Sequence, residues 1–163
     1  SELIKIKTLM IKINVITNNF HWYRFIKTPN TYVKRKIQKL NSKNKNYKKN
    51  IIFCTLLLSN TKAIKKLNNK FRKKNKSTDV LSFPFHNEKN LKKKIKNEKE
   101  IYLGDIIINL NRVRSKNNMK NFKLEFDKLW IHGLIHLFGY DHKKKKDFKE
   151  MNQVEKDYLK YIQ

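Results

Sequence analysis

The residues from Trp130 to His142, WIHGLIHLFGYDH, hold three of the chain's five histidines. His132 and His136 stand four positions apart, and on a helix two such residues project from one face, where their imidazoles can share a metal ion. His142 lies beyond Gly139, and a glycine turn is what would bring the chain back toward the two helical ligands. Five histidines scattered over 163 positions would show this spacing by chance about 0.005 times. The bland alternative, three histidines serving separately on the helix surface or in the core, leaves the spacing unexplained.

Three neutral imidazoles leave a tetrahedral ion one open position, the arrangement of catalytic zinc, whereas a structural site normally closes with a fourth protein ligand, often cysteine. The only cysteine, Cys54, sits in the apolar run from Ile51 to Leu58 and reads as a small core residue in a reducing compartment. The expected cofactor is therefore one Zn2+ per chain, held by His132, His136 and His142. Such an ion keeps its full double charge, favours an anionic substrate and lowers the pKa of a bound water toward about 7.

Metzincin peptidases share this spacing, with glycine at the same offset, but place a glutamate after the first histidine as general base. Gly133 stands there instead and cannot move a proton, which argues against peptide hydrolysis by that route. Gly133 costs about 1 kcal/mol relative to alanine inside a helix. Its expected use is to admit another segment, or a substrate, close to the backbone. Asp141, beside the third histidine, has two readings of equal weight: orienting an imidazole through its second ring nitrogen, or capping the next helix.

Forty Lys and Arg against 13 Asp and Glu make the chain +27, a charge that attracts polyanions. Lysine, asparagine and isoleucine are all abundant, as A/T-rich codons would produce, so the charge supports an RNA reading without establishing it. The N-terminal segment LIKIKTLMIKINVI is broken by Lys5, Lys7 and Lys12 and lacks the pattern of a signal peptide, and no apolar run is long enough for a membrane span. A cytoplasmic protein without membrane contact is expected, as a monomer.

The elements that must position these residues follow from periodicity. Residues 3–16 suit a half-buried strand or two strand pieces, 29–42 a helix opened by Pro29, and 42–50 a loop. Residues 51–58 form a near-continuous apolar strand whose faces should both be covered. Ser59 and Asn60 can cap a helix running to about Arg72, and 78–85 is a strand marked at its end by Pro84. The charged stretch 87–100 lacks periodicity and reads as a mobile connection. Residues 102–109 form a strand with a bulge or close approach at Gly104, 122–138 a helix ended by Gly139, and 146–161 an amphipathic helix burying Phe148, Met151, Val154, Tyr158 and Tyr161. The whole chain, 1–163, reads as a single α+β domain with a small mixed sheet of about four strands and four or five helices. On alternate strand positions Phe83, Phe85 and Tyr102 read as core rather than as base-stacking platforms. His21 and His86 stay unassigned, and Lys143 to Lys146 either hold phosphate or solvate a helix start.

The segments FRKKNKSTDVLSFPF, YLGDIIIN and HGLIHLFGYDH, in this order, resemble the YbeY family of bacterial rRNA maturation endoribonucleases. The likeness covers most of the chain from about Leu67 onward. It implies a single-domain α+β fold, a zinc on His132, His136 and His142, single-strand-specific RNA cleavage, maturation of the 3′ end of small-subunit (16S) rRNA, and ribosome quality control. It also implies that Arg72, in NNKFRKKNKSTDVLSFP, is the family's functionally important arginine; as a catalytic group its guanidinium would make a two-point phosphate contact that lysine cannot. The implied partners are rRNA and the small ribosomal subunit, with a ribosomal protein or an assembly GTPase as further candidates. The sequence departs from the family after GDI, where INLNRVRSKNN replaces small and acidic helix-forming residues. A second class of function stays open: a ribosome-associated RNA-binding factor whose metal is structural.

Overall fold

A computed structural model describes residues 9–43, 50–141 and 145–163. Four strands, β1 (Met10–Thr17), β2 (Ile51–Ser59), β3 (Val80–Pro84) and β4 (Glu100–Asn109), form one sheet in the order β1-β2-β4-β3. The first three strands of that order run parallel, and β3 closes the edge antiparallel to β4. Five α-helices are described: α1 (Pro29–Ser42), α2 (Thr61–Arg72), α3 (Glu88–Asn97), α4 (Met119–Leu137) and α5 (Lys145–Ile162). The mixed sheet and the helix number match the α+β expectation. Of the expected first strand, residues 3–8 lie outside the described part, as do residues 44–49 of the expected loop.

β2 alternates. Ile52, Cys54, Leu56 and Leu58 are buried in the main core, while Ile51, Phe53, Thr55 and Leu57 are half-buried on the opposite face. The expectation that both faces of this strand are covered is thus corrected. On the second face a small cluster of Ile64, Leu81 and Ile107, with Leu57, Leu67 and Phe83 packed against it, forms beneath α2. Burial pushes the Cys54 thiol up to about 12.

β4 carries its bulge where expected. Phe53 pairs with Tyr102 and the next residue, Cys54, with Gly104, so Leu103 is the extra residue. Gly104 takes φ +140°, and a Cβ there would stand 2.1 Å from the Phe83 carbonyl oxygen, so both conformation and space demand glycine.

The stretch 87–100 is not a loose connection. Asn87 caps α3 by accepting from the Asn90 N–H at 2.8 Å, Leu91 is buried, and Ile95 packs against the core. Two apolar residues four apart suffice for so short a helix once its cap and the Glu88–Lys92 and Lys94–Glu98 pairs support it. α5 keeps Met151 and Tyr158 of the expected stripe buried, but Phe148 is 50% exposed and Ile162 takes an inner position instead. No described helix is long and apolar enough to cross a membrane.

Candidate active site

α4 begins at its cap Asn118, which accepts from the Asn121 N–H, and buries Phe122, Phe126, Trp130, Leu134 and Leu137 on one side. Where it crosses β3 and β4 it needs Gly133. A Cβ there would stand 2.6 Å from Ile106 Cγ2 and 3.2 Å from Ser82 Oγ, and the Ser82 hydroxyl donates to the Gly133 carbonyl at 3.0 Å. Of the two uses foreseen for this glycine, the structure displays the close approach of another segment. Gly133 sets how deeply the next turns of α4 sit, and thereby the height of the histidines above the sheet edge.

His132 and His136 emerge half-buried on the same face, as their spacing demands. Their rings stand edge to face with centroids 4.6 Å apart and Nε2 atoms 3.1 Å apart. The outer nitrogens are engaged. His132 Nδ1 meets the Glu155 carboxylate of α5 at 2.5 Å, and His136 Nδ1 meets the Tyr140 carbonyl at 2.7 Å. A carbonyl only accepts and a carboxylate does so here, so each Nδ1 carries the proton. Each Nε2 then presents a lone pair, and the two lone pairs converge. Two ligands about 2.1 Å from one tetrahedral ion stand roughly 3.4 Å apart, so the donor set fits a cation shared between the rings. Carboxylate and carbonyl partners on the far ring nitrogens are the usual support of metal-ligating histidines.

The Tyr140 contact depends on the end of α4. Gly139 adopts φ +94° and donates to the His136 carbonyl at 3.0 Å, the glycine stop foreseen from sequence. That turn brings the next carbonyl to His136 Nδ1. His142 lies outside the described residues. Among the described residues no group of three metal-ligating side chains occurs. Asp141 borders the cavity next to the two histidines. For these two rings, the orienting role that the sequence offered Asp141 is filled by Glu155 and Tyr140.

The histidines open into a cavity of about 930 Å³ that Arg72, Lys74, His86, Glu88 and Asp141 also line. Arg72 ends α2, where Lys73 turns the chain with φ +52°. Its Nη2 donates to the Ser82 carbonyl at 2.6 Å and its guanidinium lies over the Phe83 ring, 5.4 Å from the centroid. The side chain is thereby tied to β3, the strand beside α4, which brings the arginine and the histidines to one cavity across 60 residues of sequence.

Sequence reasoning missed Glu155, Tyr140 and the placement of His86. Glu155 is one of four acidic residues on α5, all half-buried, and nothing in their spacing singles it out. A backbone carbonyl leaves no trace in residue types. His21 lies elsewhere, bonded to its neighbour Asn19 and stacked on Phe20. Of the three aromatic residues read as core, Phe83 and Tyr102 are half-buried, and Phe85 is corrected: it is 62% exposed, edge-on to Tyr102. Tyr102 is held by a hydrogen bond to Asp105 at 2.5 Å and one with Thr55 at 2.6 Å.

Comparison with known proteins yields one family. The family described as Endoribonuclease YbeY matches residues 18–163. A protein named Endoribonuclease YbeY from Pelagibacter ubique is 43% identical over 155 residues, 94% of this chain and 97% of its own. Another of that name, from Ehrlichia canis, is 36% identical over 149 residues, 90% of this chain and 88% of its own. A solution structure of a Thermotoga maritima protein superposes with a TM-score of 0.53 at 23% identity, covering 93% of this chain and 89% of that one, and shares the fold.

Proposed function

The chain belongs to the YbeY family, and on that premise we propose that it is a zinc-dependent endoribonuclease that cleaves single-stranded RNA within the 3′-end maturation of small-subunit (16S) rRNA. The observation that carries the metal half of this reading is the pair of Nε2 atoms 3.1 Å apart with both Nδ1 atoms committed elsewhere. His132 and His136 would hold the ion, with His142 as third ligand, reached through the Gly139 turn. One zinc per chain supplies, when bound, Lewis-acid stabilisation of a phosphodiester and a lowered pKa for an attacking water.

The protein's own residues do the rest. Glu155 and Tyr140 fix the tautomer and orientation of the two imidazoles, so no reorganisation is needed when charge develops. A guanidinium carries five donors, of which the Ser82 bond uses one, and its plane is held by Phe83. Arg72 is thus pre-oriented to offer a forked contact to the non-bridging oxygens of the scissile phosphate. The cavity, with room for a nucleotide, is lined by the same residues.

The surroundings implied by this role are the cytoplasm, the small ribosomal subunit with its rRNA, and a ribosomal protein or assembly GTPase that presents the substrate; ribosome quality control belongs to the same reading. The test combines metal analysis with cleavage of an unstructured RNA by wild type and His136→Ala. Wild type should carry about one zinc and cleave, and the variant should lose both. Undiminished cleavage by the variant would trace the activity to a contaminant and leave an RNA-binding factor with a structural metal as the better account.

A further inference from the structure

Helix α3 presents a face that its packing does not explain. Leu91 and Ile95 turn toward the core, and Lys89, Lys92, Lys93 and Lys96 fall at i, i+3, i+4 and i+7, a single stripe on the far side of the helix. These lysines, with Asn87 and Glu88, line a groove of about 630 Å³. Asn87 and Glu88 also line the histidine cavity, so groove and cavity adjoin at the N-terminal end of α3. Gly139 is a neighbour there: a Cβ on it would stand in ordinary contact, 3.4 Å from the Glu88 side chain.

Three of the four charges of the stripe are not spent in ion pairs within the helix. Glu88 pairs with Lys92 at 2.7 Å, and Glu98 pairs with Lys94, which lies off the stripe, also at 2.7 Å. Among the ion pairs of the described residues none involves Lys89, Lys93 or Lys96, and all three are exposed. Three cations thus leave the cavity in file over about 10 Å, seven residues of helical rise.

Building on the nuclease reading, we infer that α3 is the track for the RNA strand flanking the cleaved linkage, with Lys89, Lys93 and Lys96 holding its phosphates. A single strand threaded from the cavity meets this stripe next, and roughly two or three phosphates fit along it. Lysine suits the task because a point charge on a flexible stem follows a backbone without selecting a base. Arg72 and Lys74 line the cavity and not the groove, so on this reading the flanking strand is held at a separate place from the linkage itself.

The experiment compares wild type, a triple variant with Lys89, Lys93 and Lys96 each changed to Gln, and a control with Lys34, Arg35 and Lys43 changed to Gln. The control positions belong to α1 and its C-terminal end, and α1 packs against β1 at the opposite edge of the sheet. Affinity is measured against salt for two unstructured RNAs, about 2 and about 18 nucleotides long, the shorter covering only the cleaved linkage and the longer exceeding the usual site size of a single-strand binder. The α3 variant should lose about two units from the salt slope on the long RNA, because each phosphate contact contributes about 0.7 on a single strand. On the short RNA it should match wild type, as should its rate of cleavage at saturation. The control should keep the wild-type slope on both. Equal losses in the two variants, or an equal loss by the α3 variant on both RNAs, would reduce the stripe to general surface charge and overturn the track. If wild type binds and cleaves neither RNA, the nuclease reading itself fails and the track falls with it.

Discussion

Helix α4 passes through two polar sites little more than one turn apart. At Asp127 the carboxylate is 1% exposed and every neighbour is supplied from within the chain: Tyr32 donates at 3.0 Å, Trp130 Nε1 at 2.9 Å, and Lys36 approaches at 3.3 Å. At His132 and His136 the outer ring nitrogens meet Glu155 and the Tyr140 carbonyl, and the inner ones face each other 3.1 Å apart at a cavity that both residues line. The first site is closed, and a closed polar cluster stabilises and orders a core. The second opens on a cavity and brings two ring nitrogens to a common point, where the proposed metal would sit. On the proposed function one helix carries a structural knot and a chemical site, and the difference lies in whether the cluster is closed in the core or opens on a cavity rather than in how polar the residues are.

The comparison breaks most sharply at the histidines. His136→Ala should release the zinc and lower RNA cleavage on the order of 100-fold or more, since the ion and its attacking water go together. Its effect on the fold of the metal-free protein should be small, because the ring is half-buried at a cavity edge. Metal analysis and urea denaturation of the stripped proteins check both halves. A collapse of the metal-free fold would make this cluster structural, like that of Asp127.

Asp127→Ala should act in the opposite sense. It leaves the Trp130 N–H, the Tyr32 hydroxyl and the Lys36 ammonium without their acceptor, a loss of roughly 3–5 kcal/mol, the usual cost of breaking a buried charged pair. Zinc per folded chain should be unchanged. A variant as stable as wild type would show that the knot is dispensable.

Glu155 sharpens the second site. Glu155→Ala should weaken zinc binding by about 10- to 100-fold, the usual range for a group that supports a ligand, read by competition with a chelator. Glu155→Gln retains an oxygen to accept from His132 Nδ1 and should recover most of that affinity. Equal losses in the two variants would mean that charge, not orientation, is what the carboxylate provides.

Arg72→Lys should keep the zinc and most RNA affinity and slow cleavage on the order of 10-fold at saturation, because the charge remains while the forked contact is lost. Weaker RNA binding with an undiminished saturated rate would make Arg72 a docking residue. The smallest expected effect is a pH slope. Burial raises the Asp127 pKa above its ordinary value, outweighing the lowering by Trp130, Lys36 and Tyr32. A carboxyl raised on folding binds its proton more firmly in the native chain, so its stabilising contribution is complete below the unfolded value and declines as pH rises through the raised one. Stability of wild type relative to Asp127→Asn should therefore fall from acid toward neutral pH, and a flat difference would contradict the shift.

What the sequence determined by itself is whatever depends on neighbours a few residues away. The four-residue step from His132 to His136 becomes a shared face as soon as the segment is helical, and Gly139 stops that helix because a positive φ suits glycine. The bulge at Gly104 and the cap at Asn60 are local in the same way. Single contacts across long stretches of chain were invisible. Glu155 reaches His132 from another helix 23 residues on, and which acidic side chain of α5 does so depends on the rotation and depth of α5 against α4. The use of Gly133 emerges only when α4 is laid on Ile106 and Ser82. α3 was misread because two apolar residues make a weak period on their own, and the core that receives Leu91 comes from other parts of the chain. Spacing along the backbone settles which side chains share a face. Only packing settles what that face meets, since the free energy of those contacts comes from burying surfaces that the sequence keeps far apart.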